Sequence, residues 1–155
     1  MADEVQILHT IMKAPFRTLV GSIGILGLSL IASRSSADDK VDFEKQILPI
    51  IKAKCYKCHQ SEHTDETGKV KKPKGGLILD SAAGIKKGGK EDKEKVLQAG
   101  KGAASTLYTA TTLPESDEKA MPPEGKGDRV TKPEQDLLKK WIDEGANFGA
   151  WKGKE

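Results

Sequence analysis

The chain is poor in the residue types that build many functional sites, since its 155 residues include only two cysteines, three histidines and three methionines. Two cysteines, with no second ligand pair elsewhere, leave a structural zinc site short of the four protein ligands it needs. Aromatic residues are 5% of the chain and do not interleave with a basic stripe, which argues against nucleic-acid binding. The apolar run at residues 19–32 is shorter than the roughly 20 residues of a membrane-spanning helix.

Both cysteines and one histidine lie together in residues 55–59, which read CYKCH. Two thiols separated by two residues can each add to a vinyl group of haem, and the histidine that follows is placed to coordinate the iron. The pattern therefore predicts one covalent haem c, attached through Cys55 and Cys58, with His59 as the proximal iron ligand. The alternatives are a thioredoxin-like redox pair, a zinc site that also uses His63, and a disulfide between the two cysteines.

Residues 1–37 differ from the rest of the chain and are typical of an export signal. Lys13 and Arg17 precede the uncharged apolar run, and residues 35–37 (SSA) offer small side chains for cleavage. We therefore expect a mature domain of residues 38–155 in the periplasm, where haem is attached to such motifs. The alternative is a segment that stays uncleaved and anchors the domain to the membrane.

Short helices separated by long loops are predicted for the rest of the chain, which indicates an all-α domain. The first helix is expected over residues 42–54, with Asp42 as its N-cap and with a kink or division at Pro49. A brief helix through Lys87, capped by Asp80 or Ser81, and another helix over residues 103–112 are also expected.

The last helix has the clearest boundaries in the sequence. Thr131 and Glu134 form a capping box, and Gly145 is a natural C-terminal stop. We expect the first and last helices to pack across each other, with loops wrapped around the haem. Four apolar side chains are expected near the crossing: Phe43, Ile47, Leu138 and Trp141.

The second axial position of the iron decides between electron transfer and ligand or substrate chemistry. Met121 is the only methionine in the expected mature domain, residues 38–155. His63 follows His59 by one turn on the same side of the haem, so it cannot reach the opposite face. Two prolines after Met121 stiffen its loop. We predict Met121 as the distal iron ligand, the alternatives being a methionine that only packs, a lysine ligand or an open position.

Lysines are concentrated in one part of the chain, although the formal net charge is only +3. Residues 69–101 contain ten lysines and four acidic residues. This predicts a basic face that docks an acidic redox partner, the alternative being an ordinary solvated surface. The charged stretch at residues 60–74 is expected to be an exposed, mobile loop.

Four blocks of sequence, in this order, together resemble the planctomycete-type cytochrome c domain. They are residues 47–51 with 55–59 (ILPII and CYKCH), 74–81 (KGGLILDS), 121–123 (MPP) and 137–146 (LLKKWIDEGA). The resemblance implies a cytochrome c-like fold around one covalent haem, axial ligation by His59 and Met121, and electron transfer.

The leading hypothesis is therefore a periplasmic monohaem carrier of single electrons that is not an enzyme. One alternative is a haem enzyme or small-ligand sensor with an open distal site. Another is a haem subunit of a larger periplasmic redox complex.

Overall fold

The computed structural model describes residues 40–154, and the export-segment prediction for residues 1–37 lies outside them. Short helices dominate this part of the chain. They are a π-helical turn, Phe43–Ile47, and five α-helices: α1, Leu48–Lys54; α2, Tyr56–His59; α3, Ala82–Lys87; α4, Thr106–Thr112; and α5, Lys132–Asp143. Single 3-10 turns lie at Lys74–Gly76, Lys93–Lys95 and Gly102–Ala104, and two strands lie at His63–Thr64 (β1) and Val70–Lys71 (β2).

The predicted first helix forms in two parts. The Asp42 carboxylate caps it by accepting a hydrogen bond of 3.0 Å from the backbone N–H of Lys45. The π-helical turn then passes directly into α1, which has Pro49 in its first turn, where the missing N–H of proline is tolerated. The predicted division at Pro49 is confirmed.

The predicted capping box of the last helix is also present. The backbone N–H of Thr131 donates to the Glu134 carboxylate at 2.7 Å, and α5 begins at the next residue. At the other end, Gly145 adopts a φ of 100°, a conformation that side-chain-bearing residues avoid. The helix therefore ends where the sequence predicts.

The first helical run, which consists of the π-helical turn and α1 (residues 43–54), packs against α5 through a cluster of aromatic rings. The ring of Phe43 lies 5.1 Å from that of Trp141, 4.8 Å from that of Phe148 and 4.7 Å from that of Trp151, centroid to centroid. The Trp141 indole N–H donates to the Asn147 carbonyl at 2.9 Å. All four side chains predicted at the crossing, Phe43, Ile47, Leu138 and Trp141, are buried, which confirms the predicted packing.

The helix predicted over residues 103–112 is instead a 3-10 turn followed by α4. Gly102 begins the turn and lies so close to α5 that an added Cβ would come within 2.8 Å of the Asp143 carboxylate. Its backbone N–H donates to that carboxylate at 2.6 Å. This long-range contact, which periodicity does not reveal, accounts for the separate turn.

A β-hairpin lies in the stretch predicted to be an exposed, mobile loop. The strands β1 and β2 are antiparallel, with His63 opposite Lys71 and Thr64 opposite Val70. One Asp65 carboxylate oxygen accepts hydrogen bonds from Thr67 and from the backbone N–H of Lys69, which closes the turn between the strands. The domain is thus rich in helix, as predicted, but it contains a small two-stranded sheet that the all-α prediction omitted.

A helix that spans a bilayer must be both long and apolar. Between residues 40 and 154, no helix combines the length and the apolar character that a bilayer span requires.

Truncation of Trp141 is expected to test the core. Trp141 is 1% exposed, so Trp141→Ala should lower the free energy of unfolding of the holoprotein by about 3–5 kcal/mol, as cavities left by large aromatic residues do. Val70 is 53% exposed, and Val70→Ala should change the free energy of unfolding by less than about 0.5 kcal/mol. Urea denaturation measures both, and equal effects would contradict the assigned core.

Candidate functional site

One cavity brings together all four residues predicted to bind the haem and its iron. Cys55, Cys58, His59 and Met121 line a space of about 350 Å³. Nine aliphatic residues from several segments between α1 and the start of α5 also line it: Ala53, Leu77, Leu79, Val96, Leu107, Ala110, Pro122, Pro123 and Val130. None of the six aromatic side chains of residues 40–154 lines this cavity, and four of them form the core cluster instead.

The CYKCH motif occupies a single helical turn directly after the first helical run. Cys55 ends α1 and precedes α2, and its carbonyl accepts hydrogen bonds from the backbone N–H groups of Cys58 at 3.1 Å and His59 at 3.0 Å. Residues three apart on a helical turn lie on the same side. The two thiols therefore lie on one side of this turn.

His59 is partly buried in the wall of the cavity. Burial lowers the pKa of its imidazole, and the nearby backbone of Leu77 and Lys74 opposes this shift. A lowered pKa keeps the ring neutral at physiological pH, which is the form that binds metals. The Nδ1 atom of His59 is buried and makes no hydrogen bond of good geometry.

The segment after His59 is tied to the stretch at residues 77–80. The Leu79 N–H donates to the His59 carbonyl at 2.7 Å. The buried Asp80 carboxylate accepts from the Ser61 hydroxyl at 2.6 Å and from the Ser61 N–H at 3.0 Å. The sequence offered Asp80 or Ser81 as the cap of a helix; the cap of α3 is Ser81, and Asp80 instead steadies the chain beside His59.

The alternatives to haem gain no support from this geometry. Burial, and to a smaller extent Cys58, raises the pKa of the Cys55 thiol to about 12, whereas thioredoxin-like pairs depend on a lowered thiol pKa. Both cysteines are free thiols rather than a disulfide. In residues 40–154, no three histidine, cysteine or acidic side chains converge as a metal site would require, and His63 Nδ1 lies 3.0 Å from the Ser61 carbonyl.

Met121 lies in a loop that is fixed to the end of α4. Its N–H donates to the Ala110 carbonyl at 2.9 Å, and Pro122, which follows it, is buried. Arg129 then donates to the Pro122 carbonyl at 2.8 Å. Arg129 was not predicted from the sequence, although one signal was available there. It is the one arginine in residues 40–154, where every other long cationic side chain is a lysine.

Charged side chains surround the aliphatic part of the cavity. Lys54 lines it with only 15% of its side chain exposed, and its ammonium is 4.0 Å from the exposed Asp128 carboxylate. Lys57 also lines it and donates to the Lys126 carbonyl at 3.2 Å. The acidic residues Glu91, Asp92 and Glu118 contribute as well, so the cavity wall carries both signs of charge.

These residues fit a covalently attached haem. Two thiols on one helical turn, a neutral, partly buried imidazole with an unpaired nitrogen, and a thioether all line one cavity with a partly aliphatic wall. Thiols form the covalent links of haem c, and imidazole and thioether are common axial ligands of haem iron.

A comparison with known families agrees with this geometry. The model of the family described as Planctomycete cytochrome C matches residues 55–125, which contain the CYKCH motif and Met121. No curated protein and no solved structure matches the chain significantly.

Proposed function

Because the chain carries a planctomycete-type cytochrome c domain, we propose that it is a monohaem carrier of single electrons, with His59 and Met121 as the two axial iron ligands. A cytochrome c domain indicates haem binding and electron transfer. When bound, the haem supplies the change of oxidation state. The protein residues attach it, orient it and exclude water from it.

The observation that carries this proposal is that four side chains able to bind haem or its iron line one cavity. Cys55 and Cys58 would provide the thioether links, and His59 and Met121 the two axial donors. With both axial positions taken by protein side chains, no position remains open for a substrate or a small ligand. Such a site changes oxidation state with little rearrangement, which suits a carrier better than an enzyme or a sensor.

The supporting contacts also favour a rigid site. The Leu79 N–H and the Asp80 carboxylate steady the chain around His59, and the Ala110 carbonyl holds the backbone of Met121. Ligands whose positions are set by hydrogen-bonded neighbours keep their orientation when charge moves through the site. The aliphatic walls raise the cost of admitting water.

Absorption spectroscopy of the holoprotein tests the ligands. The wild type should show six-coordinate low-spin iron with an iron–sulfur charge-transfer band, and Met121→Ala should abolish the band and lower the midpoint potential, because a methionine ligand raises it. Leu107→Ala removes an aliphatic side chain from the same cavity without removing a donor atom, and it should keep the band. A high-spin resting wild type, or one that binds carbon monoxide rapidly, would contradict the carrier and favour an enzyme or sensor.

The proposed location of this carrier is the periplasm. The export pattern of residues 1–37 and a haem-attachment motif support each other, because attachment to such motifs follows export. Intact mass of the mature holoprotein should correspond to a chain that begins at Asp38 plus one haem. A full-length mass recovered from the membrane fraction would support the retained anchor instead.

We further propose that an acidic redox protein docks on the lysine-rich surface formed by residues 69–101. This segment supplies part of the cavity wall, through Leu77, Leu79 and Val96, so a partner bound to it would lie close to the haem. Some of its lysines already have partners, since Lys71 lies 3.3 Å from Asp65 and Lys72 lies 3.4 Å from Glu62. Exposed lysines further along the segment, such as Lys90 and Lys95, are the better candidates for docking.

Small redox reagents of opposite charge test this surface. Electron exchange with anionic ferricyanide should slow as salt is added, and the double variant Lys90→Glu/Lys95→Glu should slow it several-fold at low salt, because steering of charged reagents is screened. Electron exchange with cationic hexaammineruthenium should become faster as salt is added, and the double variant should make it faster at low salt. Lys152→Glu, at an exposed position outside the segment, is the control, and an equal effect of this variant would argue against a localised basic face.

A further inference from the structure

The C-terminal end of α4 is where the Met121 loop joins the helical part of the domain. A helix leaves its last carbonyl groups without partners inside the helix. Here the Ala110 carbonyl accepts from the Met121 N–H at 2.9 Å, while the carbonyls of Thr111 and Leu113 receive hydrogen bonds from Arg129 at 3.1 and 2.7 Å. A cation at this end of a helix is also favoured by the helix dipole.

We propose that Arg129 is a positioning residue that holds Met121 in place by joining α4 to the Met121 loop. One guanidinium nitrogen donates to the Pro122 carbonyl at 2.8 Å, and the other donates to Thr111 and Leu113. The stretch from Met121 to Pro122 is thus fixed at both ends, by Ala110 on one side and by Arg129 on the other.

Only an arginine can make this set of contacts. Its planar guanidinium carries donors on two terminal nitrogens that point in different directions, so it reaches carbonyls on two segments at once. Lysine would keep the charge but concentrates its donors on one atom. Arg129 is only partly exposed, which limits competition from water for these carbonyls.

Gln135 of α5 supports the same junction. Its side-chain amide donates to the Thr111 carbonyl at 2.8 Å and to the Val130 carbonyl at 3.2 Å. The Thr111 carbonyl is therefore shared between the Arg129 guanidinium and α5. Through the contact of Gln135 with the Val130 carbonyl, the residue after Arg129 is tied to α5, the helix that packs on the first helical run.

The consequence for the site follows from which walls these groups connect. Leu107 and Ala110 of α4 line the cavity, as do Met121 and Pro122 of the loop. Arg129 does not line the cavity, so it acts through the backbone of the loop. Loss of the guanidinium should leave the cavity present but let the thioether of Met121 move.

This inference rests on the proposed His59 and Met121 ligation, and competition with added imidazole tests it. In ferric Arg129→Gln holoprotein, imidazole should bind at least roughly tenfold more tightly than in the wild type, the change expected when one hydrogen bond to a charged group no longer favours the methionine-bound state. The iron–sulfur charge-transfer band should weaken, and the midpoint potential should fall. Arg129→Lys should behave like Arg129→Gln, because charge without the planar fork does not restore the junction.

Lys132→Gln is the matched control, since it removes a positive charge three residues away, from an exposed side chain paired with Asp136. It should keep the wild-type imidazole affinity, band and potential. If the wild type shows the band but both Arg129 variants match Lys132→Gln, the positioning role is wrong and the ligation stands. If Arg129→Gln does not fold, Arg129→Lys decides alone. A wild type without the band overturns the proposed ligation, and this inference with it.

Discussion

The packing of the first helical run against α5 is the constraint on which the rest of the domain depends. Phe43 and Trp141 meet with ring centroids 5.1 Å apart, and Ile47 and Ile142 are fully buried in the same core. Burial of such side chains contributes roughly 1.5–3 kcal/mol each. Because this helical run ends at Cys55, its orientation on α5 also decides where the two thiols and His59 lie.

Two polar connections complete the cavity on that foundation. The Asp80 carboxylate holds the chain that follows His59, and the Arg129 guanidinium holds the loop that carries Met121. Each connects segments that are separate in sequence, through charge-assisted hydrogen bonds, which are stronger than neutral ones. The two donor residues thus depend on different supports, so their geometries can be perturbed independently.

Features governed by neighbouring residues were predictable. The Asp42 cap, the division at Pro49 and the Thr131 capping box each depend on contacts within about five residues, and the structure contains all of them. The hairpin was missed because its strands have two residues each, too few for an alternating pattern, and its turn is closed by the Asp65 side chain. The separate turn at Gly102 was missed because its cause is a contact with Asp143 of α5, 41 residues away.

The sequence by itself determined which side chains are candidates for haem binding, because the CYKCH motif is local and Met121 is the only methionine in residues 40–154. It also determined where the first helical run and α5 begin and end. Only the tertiary structure decided that these four residues share one cavity, that Asp80 supports the chain beside His59 and does not cap α3, and that Arg129 joins α4 to the Met121 loop. The physical reason is that hydrogen-bond partners distant in sequence are chosen by packing, which no local pattern records.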